Sequence, residues 1–219
     1  NVAYLFGDNW FSQTAYKVLA LVMLFIGGIQ LKWFGMVLGA IASALLYLVI
    51  FTDKLTYANN RISGWLDPFS PAAGVDTWQT RQGLYAIGSG GVLGLGLGNS
   101  RQKYLYIPEP QNDFIFSVVC EELGFIGAIF ILLLFALLVW RGMIIAIRAK
   151  DKFGMLLGIG LTAQVGLQVI LNISVVTNTI PNTGISLPFF SYGGTSLMML
   201  LAQMGVILSI SRSSHMQKN

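Results

Sequence analysis

The sequence predicts an all-α, polytopic membrane helix bundle of about five spans, with one long, partly helical extracytoplasmic loop. Three observations carry that prediction. Of the 219 residues, 55% are apolar and only 10% are charged, whereas an ordinary soluble domain is about 25% charged. The apolar residues gather in stretches long enough to cross a bilayer. Between the second and third stretches lies a segment of more than sixty residues, 52–113, that holds many of the aromatic and charged side chains. The mean hydropathy of +0.70 argues against a water-soluble globule, and the scarcity of charge argues against disorder.

The five apolar stretches are 18–31, 33–51, 114–140, 153–176 and 191–210. A hydrocarbon core of about 30 Å requires roughly 20 helical residues at 1.5 Å each. Four stretches satisfy that outright. The first does so only if residues 14–17 join it, with Lys17 snorkelling to the interface. The chain opens on Asn1 without a basic-then-apolar leader, which reads as a piece of a longer protein whose further spans lie upstream. All 219 residues are expected to form a single membrane domain.

Orientation follows from where short loops carry Lys and Arg. The connection after Trp140 holds Arg141, Arg148, Lys150 and Lys152 against Asp151, and the tail holds Arg212 and Lys218, so both are expected on the cytoplasmic side. Alternation then puts Lys32 inside, and the uncharged connection 177–190 and the long segment 52–113 outside. The net charge of +4 and the pI near 9.3 fit this distribution better than a nucleic-acid partner, because the basic residues form no stripe. Cys120 and His215 are the sole residues of their types. Disulfide frameworks, clustered zinc sites and Ser-His-Asp catalysis therefore lack material.

Long connections in compact structures are usually functional or disordered, and 52–113 is rich in Trp and Tyr. Its stretch 77–87 predicts a short helix with Trp78, Arg81 and Tyr85 along one side. Seven of the nine acids lie within the loop or just after it: Asp53, Asp67, Asp76, Glu109, Asp113, Glu121 and Glu122. Pro108 and Pro110 keep the chain extended, so the next helix is expected to start near Asp113, capped by Asn112 or Asp113. From there Asp113, Ser117 and Glu121 follow i, i+4 spacing. Three carboxylates cannot face lipid. One reading makes Asp113 a cap and the glutamates solvated flanking charge. The other makes Asp113 a carboxylate shielded by Phe114 and Phe116 and raised toward the range of a general base.

Gly88, Gly90, Gly91, Gly94, Gly96 and Gly98 fit neither the dinucleotide fingerprint nor a P-loop. They read either as tight turns and close backbone approach, or as backbone N–H groups cradling a pyrophosphate with Arg101 and Lys103. A second broken run, 178–196, interrupts two apolar stretches with Pro181, Gly184, Pro188, Gly193 and Gly194. It is either an outer turn or the floor of a site facing the long loop.

Four motifs occur here in a known order: AIGSGG at 86–91, GLGNSRQKYLYIPEPQNDFIF at 96–116, EELG at 121–124 and ISLPFFSYGGTSL at 185–197. In these the chain resembles the shape, elongation, division and sporulation (SEDS) proteins, the division and sporulation type above all. The resemblance spans 14–210 and corresponds to the C-terminal half of the family's bundle. It departs at Thr183, where many relatives carry lysine, and at Leu95, a position often polar or basic.

The resemblance implies a multi-pass protein of the bacterial cytoplasmic membrane that polymerises lipid II into glycan strands on the outer face. The family's essential aspartate matches Asp113, which would take the proton of the acceptor hydroxyl. Arg61, Arg101 and Lys103 are then candidates to stabilise the departing polyprenyl pyrophosphate. Gln102, Glu109, Ser191, Tyr192, Gly193 and Gly194 are further candidate substrate contacts. The resemblance implies no definite cofactor, although a divalent cation would suit the leaving group. The implied partners are lipid II, polyprenyl-pyrophosphate-linked glycan, a class B penicillin-binding transpeptidase and other division or sporulation membrane proteins. A lipid II transporter and a non-catalytic scaffold are the competing functions, and the near absence of ionisable residues within the spans argues against transport.

Overall fold

The computed structural model describes residues 62–69, 77–102 and 113–215, together with Met23, Gly27 and Gly35. Among them the regular structure is helical. After a helical turn at 62–66, the elements are α1 (Trp78–Gly90), α2 (Ile115–Ile147), α3 (Lys152–Val176) and α4 (Gly194–His215). The two apolar stretches nearest the N-terminus, 18–31 and 33–51, fall outside the described residues apart from those three positions. The other three are the helices long and apolar enough to cross a membrane: Ile115–Ile147, Lys152–Val176 and Gly194–Ser213. The chain is thus a polytopic helical membrane protein.

Helices α2 and α3 form an antiparallel hairpin closed by residues 148–151. Asp151 starts α3: its backbone is extended and its side chain accepts from the Gly154 N–H at 2.8 Å, meeting a donor left free at every helix start. Small residues set the closeness of packing, as in membrane bundles generally. A Cβ on Gly142 would lie 2.7 Å from Thr162 Oγ1, and one on Gly158 would lie 2.8 Å from the Ala146 Cβ and 3.5 Å from Ile210 Cδ1. The last contact puts the C-terminal part of α4 beside the α2–α3 connection. Arg148, Lys150, Lys152 and Arg212 therefore share one end of the bundle, and the start of α2 lies at the other.

At that second end α1 lies along the first turns of α2. Gly83 leaves room for the Phe114 ring, which a Cβ would approach to 2.7 Å, and Gly90 lets the backbone come against the Cys120 carbonyl. Phe114, Phe116, Cys120, Val175, Val176 and Leu187 form the core beneath. The expected side of α1 is present: the Arg81 guanidinium lies 5.6 Å from the Trp78 ring, and Tyr85 packs on Phe69 at 5.8 Å.

The start of α2 differs from the sequence expectation. The helix begins at Ile115 with Phe114 in the cap position, and no side chain caps it from there. Burial decides this. Fully burying a phenylalanine contributes about 2–3 kcal/mol, whereas an N-cap contributes about 1 kcal/mol. Phe114 is driven into the slot at Gly83, and the helix starts one residue beyond it. Asp113 accordingly precedes the helix rather than beginning an i, i+4 series.

Candidate functional site at the head of the broken helix

A single amide fixes the approach to α2. Asn172, fully buried near the end of α3, donates through Nδ2 to the Asp113 carbonyl at 2.8 Å and to the Ile185 carbonyl at 2.6 Å. One turn earlier on the same face, Gln168 donates to the Ser186 carbonyl at 3.0 Å. The run 178–193 is thereby stitched along the last turns of α3, and Phe190 reaches the Phe135 ring at 5.9 Å. Thr183, Ile185, Leu187 and Pro188 are buried, so the protein covers this irregular backbone. Trp65 and Asn178 close the rim with reciprocal bonds of 3.0 and 3.1 Å, each side chain donating to the other's carbonyl.

Two turns into α2 the backbone breaks. Gly124 has φ 66 and ψ −168, a region essentially closed to residues with a Cβ. A break of this kind frees the carbonyls of residues 121 and 122 and the N–H groups of 125 and 126. The glycine-rich loop pairs all four. Leu95 and Gly96 donate to the Glu121 and Glu122 carbonyls at 2.9 and 3.0 Å, while Phe125 and Ile126 donate to the Gly91 and Val92 carbonyls at 2.9 and 3.2 Å. Gly94 makes the crossing, since a Cβ there would lie 2.2 Å from the Glu122 carbonyl oxygen. The glycines thus serve close backbone approach. The N–H groups of Gly94, Leu95, Gly96 and Asn99 are committed within the protein, which removes them from any phosphate cradle.

The glutamates before the break complete the junction. Glu121 is 1% exposed, which rules out for it the reading of the glutamates as solvated flanking charge. Its carboxylate accepts a short hydrogen bond from Ser100 Oγ, one from the Arg101 N–H at 3.0 Å and a longer one from the Gln102 N–H at 3.4 Å. Glu122 accepts from the Ser100 N–H at 3.4 Å. A buried carboxylate is tolerated when oriented donors replace its water, and here they are the Ser100 hydroxyl and the loop's own backbone N–H groups. Glu121→Ala is expected to cost about 2–4 kcal/mol by stranding those donors, read as thermal unfolding in detergent, whereas Glu121→Gln retains part of the junction.

A sequence model of the FtsW/RodA/SpoVE cell cycle proteins matches residues 5–216. The chain belongs to that family. It is 47% identical over 195 residues to stage V sporulation protein E of Bacillus subtilis strain 168, covering 89% of this chain and 52% of that protein. It is 41% identical over 193 residues to the probable peptidoglycan glycosyltransferase FtsW of Trichlorobacter lovleyi, covering 88% of this chain and 50% of that one. Among solved structures it resembles a chain of a peptidoglycan synthase complex, studied for how polymerization and crosslinking are coordinated. The TM-score is 0.61 at 29% identity over 89% of this chain and 53% of that one. The chain spans about half the length of these relatives.

Within this FtsW/RodA/SpoVE chain the candidate residues fall into groups. Asp113 stands at the head of α2, held through its backbone by Asn172. Arg101, whose side chain is exposed, and Gln102 belong to the loop that Glu121 holds. Ser191, Tyr192, Gly193 and Gly194 lead into α4: Tyr192 is 82% exposed, and the space about Gly194 is open. Arg61, Lys103 and Glu109 lie outside the described residues. Among the described residues no group of three or more His, Cys, Asp or Glu side chains converges, and the buried carboxylate of Glu121 is already filled with donors.

Asn172, Gln168 and Ser100 are positioning residues that sequence reasoning passed over, and Glu121, which it singled out, joins them as the residue that holds the loop. Gln168 and Asn172, four apart in the apolar run QVILN, were the visible signal, because a polar residue inside a span requires a partner.

Proposed function

We propose that the chain is the C-terminal half of a peptidoglycan glycosyltransferase that polymerises lipid II during division or sporulation, with Asp113 as its general base. The observation that carries the proposal is the fixed approach to α2, which sets the Asp113 backbone between α3 and the run 178–193. The acceptor sugar's hydroxyl is a poor nucleophile. As its oxygen attacks the anomeric carbon of the lipid-linked donor, the proton passes to the Asp113 carboxylate. The bond to the pyrophosphate breaks, and the leaving group takes the electron pair. Direct displacement inverts the anomeric centre without a covalent enzyme intermediate. Arg101, with Arg61 and Lys103, supplies positive charge for the departing pyrophosphate.

On this proposal the Asp113 end faces outward and the end bearing Arg148, Lys150, Lys152 and Arg212 faces the cytoplasm, in keeping with the positive-inside rule. Gln102, Glu109 and the 191–194 turn contact the saccharides or the pyrophosphate. The working assembly includes a class B penicillin-binding transpeptidase that crosslinks the strands, a partnership in line with the synthase complex that the fold resembles.

The test uses the full-length parent with its transpeptidase, supplied with lipid II and assayed for glycan strands by gel and for lipid II crossing vesicle walls. Polymer supports the proposal. Crossing without polymer establishes a transporter, and neither activity with septal recruitment retained establishes a scaffold. Arg101→Ala is expected to slow polymerisation about tenfold or more. It should change unfolding free energy by under about 0.5 kcal/mol, because Glu121 holds this residue by its backbone N–H and not its side chain.

A further inference from the structure

The loop 91–98 reads GVLGLGLG and carries no charge. Its large side chains turn outward: Leu93 is 80% exposed, Leu97 78% and Val92 63%. Sequence reasoning assigns it to the water-facing segment 52–113, yet a loop in water has no reason to present so much apolar surface. Two further observations resolve this.

The first is backbone satisfaction. Irregular backbone is excluded from hydrocarbon because its N–H and C=O groups find no partners there. This loop answers that objection along its α2-facing part, since Gly94 donates to the Gly90 carbonyl at 2.8 Å while Gly91, Val92, Leu95 and Gly96 pair with the four groups freed at the break in α2. The second is continuity. The break joins the loop to Phe125 and Ile126, both exposed, and these begin the outward row that continues with Ile129 and Phe130 down the longest candidate span. That row is a lipid-facing surface by the length and composition of its helix. The first exposed charge beyond the loop is Arg101, a side chain suited to reach phospholipid headgroups from an apolar base.

We propose that the loop 91–98 is immersed in the acyl-chain region of the leaflet on the Asp113 side, its Val and Leu side chains against phospholipid tails and Arg101 at headgroup level. The broken helix and the loop then form one membrane-embedded unit, in which the loop supplies the hydrogen bonds that α2 loses at Gly124. This is independent of the glycosyltransferase proposal, because it concerns depth and not chemistry.

The test attaches a nitrobenzoxadiazole fluorophore to Leu93→Cys or Leu97→Cys in the full-length parent, with its other cysteines replaced, in phosphatidylethanolamine–phosphatidylglycerol vesicles. Both side chains point away from the interior, so labelling leaves the core intact. Nitroxide-labelled phosphatidylcholine is expected to remove most of the emission at both positions, with aqueous iodide removing little. Lys150→Cys, in the exposed connection at the opposite end, should give the reverse pattern. Quenching of the loop positions by iodide would overturn immersion. Quenching by neither agent would also overturn it, by showing that another protein segment covers the loop.

Discussion

Replacing Asp113 by asparagine is expected to lower glycan-strand formation by roughly 10²–10⁴-fold, the range over which a positioned general base contributes. The substitution keeps the shape of the side chain and removes its capacity to take a proton. It leaves the structural tie intact, because Asn172 bonds the main-chain carbonyl of residue 113 and not its carboxylate. Residue 113 has a further interaction besides that tie, and asparagine keeps hydrogen-bonding capacity there, so the variant should lose no more than about 1–2 kcal/mol of stability while losing turnover. That separation of stability from activity distinguishes a catalytic carboxylate from a structural one. Binding of lipid II should be little changed, since a base acts mainly in the transition state. Polymerisation at the wild-type rate by Asp113→Asn would remove the general-base assignment.

The membrane helices were legible because their signal is local: apolar stretches of sufficient length at 114–140, 153–176 and 191–210 correspond to α2, α3 and α4. Helix α1 was legible from the spacing of Trp78, Arg81 and Tyr85. What was not legible depends on contacts between distant residues. EELG carries no proline to announce a break, and its glutamates favour helix. The break at Gly124 is stabilised by partners about thirty positions earlier in the chain, a pairing no local pattern specifies. Glu121 looked like surface charge for the same reason, because the donors that permit its burial belong to Ser100, Arg101 and Gln102. The glycine cluster lay between these cases. Close approach was one of its two readings, but only the fold identifies the break in α2 as what it approaches.

That dependence on glycine makes the second prediction severe. Gly124→Ala and Gly94→Ala are expected to destabilise the protein by about 4 kcal/mol or more, enough to abolish accumulation of folded protein in the membrane. Two costs combine. Backbone strain contributes about 1–3 kcal/mol at positive φ, with Gly124 at φ +66 and Gly94 at φ +80. The added methyl also meets main-chain atoms that cannot rotate away: from Gly124 it would lie 2.3 Å from the Gly94 N and 2.6 Å from the Val92 carbonyl oxygen, and from Gly94 it would lie 2.2 Å from the Glu122 carbonyl oxygen. Relieving either clash separates the loop from the break and strands the four backbone groups that it pairs. Gly88→Ala is the control, since position 88 lies within α1 with nothing within 4 Å of a Cβ. Alanine there should be neutral or stabilising by up to about 1 kcal/mol. Thermal unfolding of all three variants in detergent decides the matter: if Gly94→Ala and Gly124→Ala unfold with Gly88→Ala, the loop is not what completes the broken helix.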